Sequence, residues 1–195
     1  MNRRDVLKGL GLSLGYVIAT PTIFGILQSC KNEIQMEWNP QFFIKNESVI
    51  LKNLVNLILP KTNNLPGAIE VNIPQFIDSY LDKVISVEQQ SFYKNGMISI
   101  QNVLGKSVNK LTNKDYDTLI ARFLKANIDE VEQFLNNKDD VLIYETLTSL
   151  RTLTIWAYKN SQKIGEEYLA YDPIPGKLQG CISLEEATGG KAWSL

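Results

Sequence analysis

Asp139-Asp-Val141-Leu-Ile-Tyr144-Glu-Thr-Leu147-Thr-Ser-Leu150-Arg-Thr-Leu153-Thr-Ile155-Trp156 is the stretch that decides the fold class. Val141, Tyr144, Leu147 and Leu150 share a face, and Leu153, Ile155 and Trp156 continue it. Spacings of three and four residues gather apolar side chains on one side of an α-helix, whereas a half-buried strand alternates every second residue. The pattern predicts one long helix from about Asp139 through Tyr158 to about Tyr168.

The same period extends upstream. Ile50, Leu51, Leu54, Val55, Leu57 and Ile58 form a first helical run from Ser48, ended by Pro60, and Lys61 to Ala68 then reads as loop. Pro74 suits the first turn of a second helix, where Phe76, Tyr80, Val84 and Ile77, Leu81, Ile85 form two adjoining rows of one apolar stripe. Ser86 with Gln89 makes a capping box for a third helix reaching about Leu104. Thr112 with Asp115 opens a fourth, carrying Tyr116, Leu119, Ile120, Phe123 and Leu124, and a short helix follows around Ile128 to Leu135. No segment sustains a period of two. The expected class is all-α, a compact helical bundle with an irregular Pro/Gly-rich C-terminal strap, and these aromatic stripes are expected in its core.

The strap begins near Ile164. Pro173 and Pro175 each remove a backbone donor and fix φ, so helix cannot continue through them. Tyr168, Tyr171, Cys181 and Trp193 are more aromatic and apolar than a solvated tail requires. The segment therefore reads as ordered but irregular, either packed on its own domain or offering its aromatics to a partner.

At the other end, Arg3-Arg4-Asp-Val6-Leu7-Lys8 precedes a run from Gly9 to Ser29 that carries no charge. A basic segment before an apolar one is an export signal. Arg3, Arg4, Leu7 and Lys8 resemble the twin-arginine signal, which carries folded cargo, with Val6 standing where Phe is usual. Leu27-Gln-Ser-Cys30 resembles a bacterial lipobox. Lipidated Cys30 would tether the domain to a membrane, each buried methylene contributing about 0.8 kcal/mol; a non-lipidated signal or a retained anchor are the alternatives, since the run can span a bilayer. With Cys30 lipidated, Cys181 has no partner within the chain, and burial is the expectation for such a thiol. The expected organisation is a signal over residues 1–30, a spacer over 31–46 anchored by Trp38, Phe42 and Phe43, and a helical domain over 47–195. The expected location is periplasmic and membrane-associated, in a Gram-negative envelope.

Composition narrows the chemistry. The chain has 195 residues, with 20 Lys and Arg against 21 Asp and Glu, and no basic run in its body, which argues against nucleic acid as a partner. It contains no histidine. Histidine-based triads, histidine zinc sites and haem attachment through Cys-x-x-Cys-His are therefore excluded. The acidic pairs Asp139-Asp140, Glu166-Glu167 and Glu185-Glu186 are sequence neighbours, which do not share a helix face, and read as solvated surface. Gly9-x-Gly11-x-x-x-Gly15 and Gly189-Gly-Lys191 lack the spacing of nucleotide loops. No residue of this chain is assigned to catalysis, cofactor binding or metal.

Two segments together carry a family resemblance. Leu57-Ile-Leu-Pro60, Pro66-Gly-Ala68 and Val71-x-x-Pro74-x-Phe76-Ile77-Asp78 resemble the early motif of the gluconate 2-dehydrogenase subunit 3 family. Ile164-Gly165, Tyr171-Asp-Pro-Ile-Pro-Gly176, Gly180-Cys181 and Lys191-Ala-Trp193 resemble its closing motif. The resemblance spans about residues 48–193, with only a helical pattern over 90–140. It implies a small non-catalytic subunit that binds a FAD-dependent dehydrogenase large subunit of the glucose-methanol-choline type, helps it fold and carries it across the inner membrane. In some complexes a cytochrome c subunit is the third member. FAD then belongs to the partner and not to this chain, and the tether is either the Cys30 lipid or the cytochrome. Tyr171, Asp172, Pro173, Pro175, Gly176, Cys181 and Trp193 are expected to form or brace the partner interface, with Asp172 capping backbone donors of the Pro-rich turn. Two other readings differ in class: a stand-alone envelope lipoprotein acting as a binding or scaffold module, and an enzyme working through carboxylates alone.

Overall fold

The computed structural model describes residues 36–174, 176 and 180–194. The export residues Arg3, Arg4, Leu7 and Lys8, the lipidation residue Cys30, and Pro175 of the strap lie outside the described residues. Within them run α1 (Lys45–Ile58), α2 (Ile73–Lys83), α3 (Val87–Leu104), a 3-10 turn (Val108–Lys110), α4 (Asn113–Leu124), α5 (Ile128–Leu135), α6 (Lys138–Lys159), α7 (Gln162–Glu167) and α8 (Leu184–Thr188). No strand occurs among the described residues, where the one isolated bridge joins Ala170 and Trp193. The all-α class is as expected. The strap is less irregular than expected, since α8 lies in it, while α7 falls where the long helix was expected to run.

α6 is the helix on which the others converge: α1, α2, α3, α4, α5 and α7 all pack against it. Its buried positions are Ile143, Thr146, Leu147, Leu150, Thr154 and Ala157. The face expected from Val141, Tyr144 and Leu153 is only half-buried, and Ile155 and Trp156 are exposed. A strict interval of three falls about 60° short of a full turn at each step, so such a row winds away from the core. Alternating steps of three and four stay on it.

The long helix also ends sooner than the pattern predicts. It stops at Lys159, and Ser161 opens α7 in an extended conformation. The Asn160 side-chain amide donates to the Trp156 carbonyl at 2.8 Å, and the Ser161 hydroxyl to that of Tyr158 at 2.8 Å. Asn160 still makes its helical bond to Trp156, whereas the Tyr158 carbonyl is taken by the Ser161 amide and hydroxyl, where further helix would bring the amide of Gln162.

The other boundaries follow local chemistry. Gln89 accepts from the Ser86 amide at 3.2 Å while its own amide donates to the Ser86 hydroxyl at 3.4 Å, closing the box that starts α3. Asp115 accepts from the Thr112 amide and hydroxyl, both at 2.8 Å, at the start of α4. Pro74 sits in the first turn of α2. Ile50, Leu51, Leu54 and Val55 of α1 are fully buried, as are Ile77 and Leu81 of α2, Met97 and Ile100 of α3, and Ile143 and Leu147 of α6. Each such side chain contributes about 1.5–3 kcal/mol relative to exposure.

A buried carboxylate ties the segment before α1 to this core. Asp78 of α2 has no exposed surface and accepts from the backbone amides of Gln41 at 2.6 Å, Phe43 at 3.0 Å and Phe42 at 3.3 Å. Phe42 and Phe43 are buried edge to face, 4.7 Å between centroids, so they do anchor the amino-terminal segment; Trp38 is half-buried.

Candidate partner-binding surface

Large apolar side chains are exposed at several places on the described surface, and aromatic ones among them gather in two, of which the strap is the first. Gly165 of α7 lies against Ser194, where a Cβ would come within 2.7 Å of the hydroxyl oxygen. The Ala170 amide donates to the Ala192 carbonyl at 2.8 Å, and the Ser194 amide to the Ala170 carbonyl at 2.9 Å. These bonds hold the two ends of the strap together and leave Tyr171 52% and Trp193 50% exposed. The Gly189-Gly190 pair has its own structural reason: both residues have positive φ, 61° and 76°, turning the chain out of α8 and back toward the bridge.

Tyr171, Asp172, Pro173, Gly176, Cys181 and Trp193 are all exposed. Tyr171 and Trp193 are brought together by the bridge at Ala170. Asp172 is exposed, and part of the turn it is expected to cap lies outside the described residues. One expectation is corrected here. Cys181 is exposed rather than buried, at a left-handed turn with φ 58°, in a stretch whose Ile182 and Leu184 are exposed as well.

The second surface lies between α2, α3 and α6. Of the two rows read on α2, that of Ile77 and Leu81 faces the core together with Ile73, while its third member, Ile85, is half-buried beyond the end of the helix. In the other, Phe76 is 42% and Val84 63% exposed, and Tyr80 is half-buried. This corrects the expectation that every aromatic stripe is core. From α6, Trp156 comes up beside them, 44% exposed, with ring centroids 5.8 Å from Phe76 and 5.7 Å from Tyr80. Phe76 and Tyr80 stack at 6.0 Å.

Next to this trio is a groove of about 400 Å³, lined by Tyr80 of α2, Gln89 and Tyr93 of α3, and Thr148, Thr152 and Trp156 of α6, among others. No charged residue lines it. Burial pushes the Tyr93 phenol above its ordinary range, against the lowering effect of its hydrogen bond with Ser149. The Thr148 hydroxyl is buried without a partner among the described residues. The signal for this site was present but ambiguous: a second complete row beside the core row of an 11-residue helix is wider than one packing contact needs.

The early motif is largely structural. The Tyr158 hydroxyl of α6 donates to the Pro66 carbonyl, and the Ala68 amide to that of Leu59 at 2.9 Å. A Cβ on Gly67 would meet the Lys61 backbone nitrogen at 2.6 Å, so the loop closes only around a glycine. A wide cleft at Arg122 is already spoken for by chemistry: the guanidinium stacks 4.7 Å from the Phe123 ring and pairs with Asp140 at 2.9 Å. Among the described residues no group of three or more Cys, Asp or Glu is placed to hold a metal ion, and no helix is long and apolar enough to cross a membrane.

A family model described as gluconate 2-dehydrogenase subunit 3 matches residues 45–176. No curated protein and no solved structure gives a match. The matched range holds the early motif, the Phe76, Tyr80 and Trp156 trio, and the closing motif as far as Gly176, while Cys181 and Trp193 fall beyond its end. It covers well over half of the chain, through every helix from α1 to α7, and on that match the chain belongs to the gluconate 2-dehydrogenase subunit 3 family.

Proposed function

We propose that this chain is the non-catalytic small subunit of a FAD-dependent dehydrogenase of the glucose-methanol-choline type, which it binds, helps to fold and carries across the inner membrane. The observation that carries the proposal is the family match over residues 45–176, since that family is named for one subunit of a dehydrogenase complex. Exposed aromatics on a folded helical scaffold support it, because aromatic side chains are enriched and charged ones depleted at the centres of protein interfaces. FAD is held by the partner, and the catalytic groups are the partner's. A cytochrome c subunit is a third member where one is present.

In this proposal Arg3 and Arg4 direct the folded pair to the twin-arginine route, and Cys30 is lipidated, which places the complex on the periplasmic side of an envelope membrane. Tyr171, Asp172, Pro173, Pro175, Gly176, Cys181 and Trp193 belong to the contact with the partner or brace it. The test is purification of the tagged, full-length chain from its native host, with mass spectrometry and a flavin absorption spectrum. A co-purifying flavoprotein in comparable molar amount is the expected result. A colourless monomer would overturn it in favour of a stand-alone envelope lipoprotein.

A further inference from the structure

The groove bounded by α2, α3 and α6 has a shape and a composition that together specify an occupant. Thr148, Thr152 and Trp156 line it at i, i+4 and i+8 on α6, Gln89 and Tyr93 at i and i+4 on α3, and Tyr80 from α2, while Phe76 flanks it through its ring contact with Trp156. The α6 row runs about 12 Å, a little over two helical turns. The space beside them, about 400 Å³, is of the size that accepts a small cluster of side chains. Charged residues make up 21% of the chain, yet none of the residues lining the groove is charged. A charged group entering it would lose water and find no counter-charge, at a cost of several kcal/mol. The lining therefore selects an uncharged face.

We propose that this groove is the primary seat of the dehydrogenase large subunit, which lays the apolar, uncharged face of an amphipathic helix along the α3 and α6 rows against Trp156. The inference rests on the subunit reading above and deepens it by moving the main contact from the strap to the groove. Paired rows at a spacing of four are what a third helix packs into, ridge against groove. Phe76, Tyr80 and Trp156 supply the large, stiff rings on which binding energy concentrates. The strap then lies outside the energetic centre.

The experiment compares capture of the flavoprotein by the wild-type full chain, by Trp156→Lys and Phe76→Ser, and by Tyr171→Ala and Trp193→Ala. Circular dichroism melting checks that each variant is folded. Groove variants should weaken the complex about thirty-fold or more, the effect of a hot-spot residue, and the strap variants several-fold at most. Hydrogen exchange on the wild-type complex supplies a readout that needs no variant: amides of 89–93 and 148–156 should slow on assembly. Capture by the wild type with full binding by the groove variants, or no slowing at those amides, would overturn the inference and leave the subunit reading standing. Failure of the wild type to capture any flavoprotein would overturn both. A sedimenting dimer dissolved by Trp156→Lys would then identify a second copy of this chain as the occupant.

Discussion

Asp78 shows how one side chain can set the position of a segment far from it in sequence. Three amides from residues 41–43 donate to a carboxylate that has no exposed surface. Asp78→Ala would leave those donors without a partner, and stability should fall by roughly 2–4 kcal/mol, since hydrogen bonds to a charged group are worth about 1.5–3 and orphaned donors add to the loss. Urea unfolding would measure the loss, with the amides of residues 41–43 exchanging faster than before. Asp115 acts differently, in the open. Hydrogen bonds from Lys106 first, then from the Thr112 amide and hydroxyl, bring its pKa from the ordinary 3.8 to about 2. A lowered folded pKa means that the stabilisation is complete above about pH 4 and disappears as pH falls through 2. Melting of Asp115→Asn against the wild type should therefore show its widest gap above pH 4 and a narrowing gap between 4 and 2. The two aspartates also differ in legibility. Asp115 lies three residues from Thr112 and reads directly as a cap, whereas the partners of Asp78 are 35 to 37 residues away and leave no local trace.

Between helices, the closest approach of α3 and α6 passes over Gly96. A Cβ there would lie 1.9 Å from the Thr146 hydroxyl oxygen and 2.7 Å from its Cβ. Gly to Ala inside a helix ordinarily stabilises by up to about 1 kcal/mol, while forcing an extra carbon into a closed contact costs about 1–3 kcal/mol. At 1.9 Å the second effect wins, so Gly96→Ala should lower the melting temperature rather than raise it. Helix existence and most of the caps were legible because both are written within a few residues. The end of α6 was not, because Ser161 turns the chain back onto the Tyr158 carbonyl and leaves the apolar period undisturbed on either side. Nor could periodicity decide which of the two rows on α2 would find neighbours. Both rows satisfy a helix equally, yet Ile73, Ile77 and Leu81 are buried while Phe76 and Val84 stay exposed.

For the molecule as a whole, the closing motif was readable as a unit although its individual roles were not. The pairing of Ala170 with Trp193 explains why its two ends belong together, and the open position of Cys181 follows from a backbone turn that the residue type conceals. The proposed export of the complex gives the prediction at this scale. With Arg3→Lys and Arg4→Lys together, the chain should still fold and still bind its flavoprotein, but both should stay in the cytoplasm. Fractionation followed by a flavin assay of each fraction checks it, and a periplasmic flavoprotein beside a retained small chain would break the proposed link between them. The Asp78 contact has a mechanical consequence as well. From Cys30 to Gln41 the backbone can stretch to about 40 Å at most, so a lipid on Cys30 would moor the domain within that reach of the bilayer. Any pull along this leash meets the exposed Glu37–Lys52 ion pair on α1 first and then the amides held by Asp78, where the buried contact loads the flank of α2 rather than prying the first turn of α1 from its end.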